Sequence, residues 1–285
     1  MYRLIGPKTL AFSQQTLSYG MKIGIIGLGV VGSAIKEGFE KIGHRVFVHD
    51  TKCETSIRDL ENTEIAFICV PTPSLGTGKC DVSIVESVIN ELDAIDYAGI
   101  IAIKSTVEPG FTERLQHEYP SRILCYVPEF LRERCAISDF MENHDLCVIG
   151  TKTSCVFEII KSAHGKYPKK TVRLLPTEAE LVKYFINVYN ATLVTFANNF
   201  YEICEKMNVD YTTVKNAAVN RSHITDSYLD CNDNFKGFGG VCLPKDTHTI
   251  SQLANELQTK GRLFQAVLSD NEQFETTVFD GMREM

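Results

Sequence analysis

The sequence contains no tryptophan, no C-x-x-C pair, and no apolar run near the roughly 18 residues that a membrane-crossing helix requires. The missing C-x-x-C removes the commonest zinc and dithiol signatures. Also lacking is any cluster of lysine and arginine interleaved with aromatics. Acidic residues outnumber basic ones, 36 to 29, for a formal net charge of −7. A chain of this kind carries no electrostatic footprint for a phosphate backbone, so nucleic acid is excluded as an expected partner and no membrane is expected either. An anionic small molecule would be captured locally, by backbone N–H groups and one or two cations, against the overall field. The first twenty residues lack the apolar stretch of a secretory leader and precede a second methionine, Met21. Residues 1–20 are read as an upstream start or added leader outside the fold. With no leader, the ten scattered cysteines are expected to be reduced thiols of a cytoplasmic chain, most of them packing the core.

What is present is an ordinary globular composition, 44% hydrophobic and 23% charged over 285 residues, enough for one large domain or two modest ones. From Met21 the pattern alternates. "KIGIIG" predicts a strand, "VVGSAIKEGFEKIG" a helix ending in a glycine stop, and "HRVFVHD" a second strand, which together make a parallel βαβ unit. Further strands are predicted at "EIAFICV", "GIIAIKS", "ILCYVP" and "DLCVIG". The fold class is therefore α/β, a Rossmann-type parallel sheet over residues 21–170, followed by an all-helical domain over residues 171–285. Turn signals in "HGKYPKK" and "LLPTE" mark the boundary. One long helix is predicted from Thr177 to about Met207, with more helix near "DYTTVKNAAV", at 245–259 and at 262–280.

"GLGVVG", Gly27 to Gly32, follows a strand and opens a helix. In this setting Gly27 permits the tight turn, Gly29 lets the backbone approach a pyrophosphate, and Gly32 lets helix and strand pack closely. Asp50 ends the second strand about twenty residues on, where a carboxylate accepts hydrogen bonds from an adenosine ribose and repels a 2′-phosphate. The expected cofactor is NAD.

On the long helix, Lys183, Asn187 and Asn190 share one face, away from Leu181, Phe185 and Val188; such a stripe suits either a solvated edge or a site. "GFGGVCLPKD" then frames Cys242 with Gly237, Gly239 and Gly240 before it and Lys245 and Asp246 within a turn after it. A thiolate is the reactive form of cysteine and a nearby ammonium favours it; a lone cysteine is otherwise a core residue.

These stretches resemble the UDP-glucose/GDP-mannose dehydrogenase family. "GFGGVCLPKD" is similar to the family's cysteine motif, "EAELVKYFIN" to its lysine–asparagine helix, and "VPEFLRE" to its Pro-Glu-Phe-Leu segment, while "KSTVEPG" and "CVPTPS" resemble loops lining its nicotinamide pocket. The resemblance implies a two-step oxidation of a nucleotide sugar's primary alcohol by NAD, with UDP-glucose the expected substrate. It implies Cys242 as nucleophile, Lys183 as donor to the oxygen that gains negative charge, and Asp246 with a water as proton handler. Glu129 would assist thioester hydrolysis, Thr106 would help place water, and Asn187 would fix the substrate oxygen. Cofactor contacts are implied for Gly27, Gly29, Val30, Val31, Gly32 and Asp50, and for Pro71, Thr72, Ser105 and Thr106. Phe130, Leu131, Phe238, Gly239 and Gly240 would line the sugar pocket, with Arg221 reaching a substrate in the partner of a homodimer. That dimer would form across the long helix, and the site would lie between the domains.

The sequence departs from the family at Val127, at Arg134 and at Asn199, and the family's third, nucleotide-gripping domain is expected to be missing unless the chain is a fragment. Two other readings stay open. A short β-hydroxyacid dehydrogenase would use Lys183 and Asn187 for a single hydride transfer and leave Cys242 idle. A non-catalytic NAD-binding remnant would keep the fold without turnover.

Overall fold

The computed structural model describes residues 20–75 and 78–274. The leader expected at 1–20 lies almost wholly outside the described residues; the helix expected at 262–280 is helical only over Leu263–Asn271, and 275–280 lie outside the described residues. The chain forms two compact units, one from residues up to 72 and from 81 to 183, the other from 73–80 and from 184 onward.

The first unit is built on a seven-stranded sheet. Its elements in chain order are β1 (Lys22–Ile26), α1 (Val30–Ile42), β2 (Arg45–His49), β3 (Ile65–Ile68), α2 (Ser83–Ala94), β4 (Ile100–Ile103), α3 (Phe111–Glu118), β5 (Ile123–Tyr126), α4 (Ala136–Met141), β6 (Leu146–Gly150), α5 (Ser154–His164) and β7 (Lys170–Leu174). In space the strands run β2-β1-β3-β4-β5-β6-β7, parallel throughout except where β6 meets β5. The chain moves from β1 outward to β2 and returns to β3 on the other side. That reversal opens a crevice beyond the carboxyl ends of β1 and β3, where doubly wound sheets bind ligands.

Alternate residues of each strand supply two cores. Ile26, Ala66, Ile68, Ile101 and Ile103 pack on one face with Val85 and Ile89 of α2 and Leu115 of α3. Ile23, Ile25, Phe67 and Ala102 pack on the other with Ile35 and Phe39 of α1 and Ile160 of α5. Burial on both faces is why β3 and β4 are continuous apolar runs. β7 occupies a stretch where turn signals dominate the sequence: "KTVRL" is an edge strand with Lys170 and Arg173 exposed, so its apolar signal is weak.

A helix of 31 residues, α6 (Pro176–Lys206), starts in the first unit and continues in the second, followed by α7 (Tyr211–Ala218), α8 (Leu243–Glu256) and α9 (Leu263–Asn271). Within the first unit Glu180 anchors the start of α6. Its carboxylate accepts from the N–H groups of Gly110 and Thr112 and from the Thr112 hydroxyl, at 2.5 to 2.9 Å, and so satisfies donors at the start of α3. Burial pushes the Glu180 carboxyl up despite these three donors.

The second unit is helical around Ala197, Tyr201, Cys204 and Tyr211 and around Ala191, Phe238 and Val267. Segment 73–80 joins it through α8: Lys79 pairs with Glu256 at 2.8 Å, and the Thr249 hydroxyl donates to the Gly78 carbonyl at 3.1 Å. The polar stretch after α7 is folded back by Lys215, which pairs with both Asp226 and Asp230. All ten cysteines are free, five of them buried. Among the described residues no helix is long and apolar enough to cross a membrane.

Candidate active site

The glycine loop has the backbone its spacing predicts. Gly27 sits at φ +91°, and a Cβ there would lie 2.7 Å from the Cys69 carbonyl oxygen. A Cβ on Gly32 would lie 1.9 Å from the Gly27 oxygen, so neither position accepts a side chain. Gly29 differs: it caps α1 and has nothing within 4 Å of its missing Cβ, which leaves the helix N-terminus at Val30 and Val31 open to an approaching anion. Asp50 is oriented by two main-chain donors, Leu28 N–H at 2.6 Å and Lys52 N–H at 2.8 Å, which hold its carboxyl below the ordinary range. A cleft of about 530 Å³ opens beside it, lined by Gly27, His49, Asp50, Val70, Pro71 and Ser87 among others. An open helix N-terminus, a close-approach glycine and an oriented carboxylate beside an apolar cleft fit an adenine dinucleotide. Ser105 is buried and donates to the Val70 carbonyl at 2.7 Å, so it braces the loop after β3 from behind; Thr106, next to it, and Thr72, two residues after Val70, are half-buried.

At the carboxyl ends of β4 and β5 the first unit gathers charge. Glu129 is 7% exposed and its Oε2 meets Lys104 Nζ at 2.9 Å. Its Oε1 accepts from the Phe130 N–H at 2.9 Å, and its main-chain oxygen accepts from Lys183 Nζ at 2.7 Å. Lys183 also lies over the Phe130 ring. Beyond Phe130 and Leu131, both half-buried, the loop is clamped by Arg132, whose guanidinium and N–H bind Asp139. Arg134, which departs from the family pattern, is exposed on the following turn.

The second unit carries the cysteine motif. Cys242 is exposed at the N-cap of α8, at the positive end of that helix. Asp246, one turn on, is fully buried; its Oδ2 accepts from Asn187 Nδ2 at 2.6 Å and its Oδ1 meets Lys245 Nζ at 2.8 Å. Burial opposes the Lys245 charge, but Asp246 outweighs it and raises the ammonium above its ordinary value. Lys245 thus serves Asp246, and its other neighbour is Cys80 at 3.9 Å. The glycines turn the chain into this site, Gly237 at φ +67° and Gly240 at φ +76°. Phe238, expected to line the sugar pocket, has its main chain held by Asn271 and its ring packed with Ala191 and Val267. Gly239 is half-buried, and Arg221 is exposed just after α7.

In the polar stripe of α6, Lys183 and Asn187 are held by partners and Asn190 is half-buried. Asn187 is buried and Lys183 half-buried, both engaged, while Phe185 is 75% exposed. Lys104 is the site residue that motif reading misses. Its signal is a lysine at the end of a fully apolar strand, "GIIAIKS", where a buried charge demands a counter-ion.

Replacing Asp50 with alanine is expected to weaken NAD binding by about tenfold and to reduce discrimination against NADP, as measured by isothermal titration with both cofactors. Unchanged affinities for both would remove Asp50 from the ribose site.

Comparison with known proteins bears on both units. The NAD binding domain of the UDP-glucose/GDP-mannose dehydrogenase family matches residues 50–167, and the same family's central domain matches residues 177–273. The first match begins at Asp50, so the glycine loop stands on its own geometry. The UDP-glucose 6-dehydrogenase TuaD of Bacillus subtilis is 28% identical, over 91% of this chain and 64% of its own length. The UDP-glucose 6-dehydrogenase of Rickettsia conorii is 30% identical, over 78% of this chain and 52% of its own. A solved UDP-glucose dehydrogenase from the hyperthermophilic archaeon Pyrobaculum islandicum has a TM-score of 0.82 at 27% identity, covering 90% of this chain and 69% of that one. The chain therefore spans about half to two thirds of the length of these curated relatives. With two domains of one family matched in order along it, the chain belongs to the UDP-glucose/GDP-mannose dehydrogenase family.

Proposed function

We propose that this chain is an NAD-dependent nucleotide-sugar 6-dehydrogenase that oxidises UDP-glucose to UDP-glucuronate. The observation that carries the reading is the pairing of an exposed thiol, Cys242, with a buried Lys245–Asp246–Asn187 cluster one turn behind it. A buried acid held by an amide and an ammonium is costly to keep, and a structural core has no need of it.

Bound NAD supplies a hydride acceptor at each of two oxidation steps. The residues of the chain hold the sugar carbon between those steps. The Cys242 thiolate adds to the aldehyde formed first, making a thiohemiacetal, and the second oxidation leaves a thioester on the same sulfur. Lys183 donates to the oxygen that gains charge in each addition. Asp246, through a water, takes the proton released from the alcohol, and Asn187 fixes the substrate oxygen. Glu129 takes a proton from the water that Thr106 places; that water attacks the thioester, and the acid leaves as the thiol is restored.

The same reading takes the enzyme as a cytoplasmic homodimer paired along α6. Phe185, Tyr189, Phe196, Phe200, Ile203 and Met207 follow one another at helical spacing and are all exposed. A stripe this large is uncommon on the free surface of a monomer. Phe196→Glu is expected to shift the chain from dimer to monomer in sedimentation-velocity runs; a wild type that sediments as a monomer contradicts the pairing.

The experiment for the activity is NADH yield per UDP-glucose consumed. The wild type is expected to give two NADH and UDP-glucuronate, and Cys242→Ser to lose net acid formation. One NADH regardless of Cys242 would point to the single-step β-hydroxyacid type of dehydrogenase. NAD binding without turnover of any nucleotide sugar would point to a non-catalytic remnant.

A further inference from the structure

Lys104 is among the most enclosed charges of the described chain, its side chain 1% exposed at the end of β4. It reaches Glu129 Oε2 at 2.9 Å and the Val127 carbonyl at 3.3 Å, and it lies 5.9 Å from the centre of the Phe67 ring. So enclosed, it has no path to a substrate and acts only through what it touches.

The two oxygens of Glu129 are treated differently. Oε1 takes the Phe130 N–H, and Oε2 is held by the Lys104 ammonium at 2.9 Å. A carboxylate oxygen has two lone pairs, so with Lys104 on one of them Oε2 keeps capacity for one further donor, such as a water that must lose a proton. We propose that Lys104 is a positioning residue for the hydrolytic step, fixing the place and the charge of the Glu129 carboxylate so that it stands ready to accept the proton of the attacking water. The inference rests on the role given to Glu129 above.

The surroundings support it. Burial alone would push the Glu129 carboxyl up, but Lys104 first, then His144 and the Phe130 amide, hold it below the ordinary value. Of the other titratable groups facing it, Cys69 and Cys147 are pushed up by burial to about 12, and His164 is pushed down by burial to about 3. Burial also lowers His144. These four are neutral near pH 7. Lys183 is engaged with the main-chain oxygen of Glu129, so compensation at the carboxylate itself falls to Lys104. The sign follows: with Lys104 present the carboxylate persists as pH falls below the ordinary glutamate range, and without it the buried acid holds its proton toward neutral pH.

The test compares the full chain with Lys104→Met and with Lys104→Gln, which can still hydrogen-bond but carries no charge. In the protein without ligands, carbon NMR of the Glu129 carboxyl, assigned by its loss in Glu129→Gln, is expected to show no titration in the wild type between about pH 5 and 9, and a midpoint raised by one unit or more in both variants. In turnover, the variants are expected to release acid about tenfold more slowly at pH 7 and to recover as pH rises. The double variant Lys104→Met, Glu129→Gln is expected to lack that recovery. Either variant giving the wild-type midpoint, or releasing acid at the wild-type rate and pH profile, would overturn the proposal. A wild type that makes no acid at all would fail the functional reading instead, and the carboxyl titration would still decide whether Lys104 governs Glu129.

Discussion

A carboxylate buried at the carboxyl ends of largely apolar strands has to be neutralised there, because too little water surrounds it to solvate the charge. The Lys104–Glu129 ion pair meets that constraint, and much of the candidate site is arranged around it. β4 ends in the cation and β5 leads into the anion, so sheet register brings the two together. The N–H of Phe130 holds one carboxylate oxygen, and Lys183 of α6 holds the main-chain oxygen of the same residue. Glu180, one turn before Lys183, fixes α6 to the start of α3 and thereby sets where Lys183 stands. An ion pair of this kind adds little net stability compared with apolar packing, so its retention is better explained by what the carboxylate does.

The second unit repeats the same economy with different groups. Asp246 is buried at the first turn of α8, with Lys245 balancing its charge and Asn187 its remaining oxygen. α8 thus carries an exposed sulfur at its N-cap and a closed polar cluster immediately behind it. α6 runs through both units and divides its circumference between two tasks. Lys183 turns to the main-chain oxygen of Glu129 and Asn187 to the Asp246 carboxylate, while Phe185, Tyr189, Phe196, Phe200 and Ile203 are exposed.

Much of this is legible in the sequence because it is written in local terms. Strand periodicity, the Gly27–Gly32 spacing and Asp50 at the end of β2 each depend on few residues, and the sheet and cofactor cleft follow from them. The long helix is equally plain, since thirty-one residues pass without an internal break. Less legible is whatever depends on distant partners. β7 is hidden by its charged edge residues, and segment 73–80 joins the helical unit through contacts with α8 that no local pattern announces. Lys245 follows Cys242 by three positions, yet it turns to Asp246 and Cys80. Phe238 sits inside the glycine motif and packs into the core because Asn271, thirty-three residues later, holds its backbone. Lys104 was visible only as an anomaly, a charge at the end of a buried strand, and its partner lies twenty-five positions away on another strand's end.

The central claim is that oxidation proceeds through an acyl group on Cys242 which Glu129 helps to release. The most direct measurement is the mass of Glu129→Gln protein quenched in acid after incubation with UDP-glucose and NAD. The account predicts that the peptide bearing Cys242 gains a UDP-glucuronyl group that hydroxylamine removes. NADH formation with an unmodified Cys242 peptide, or an adduct on another residue, would contradict it.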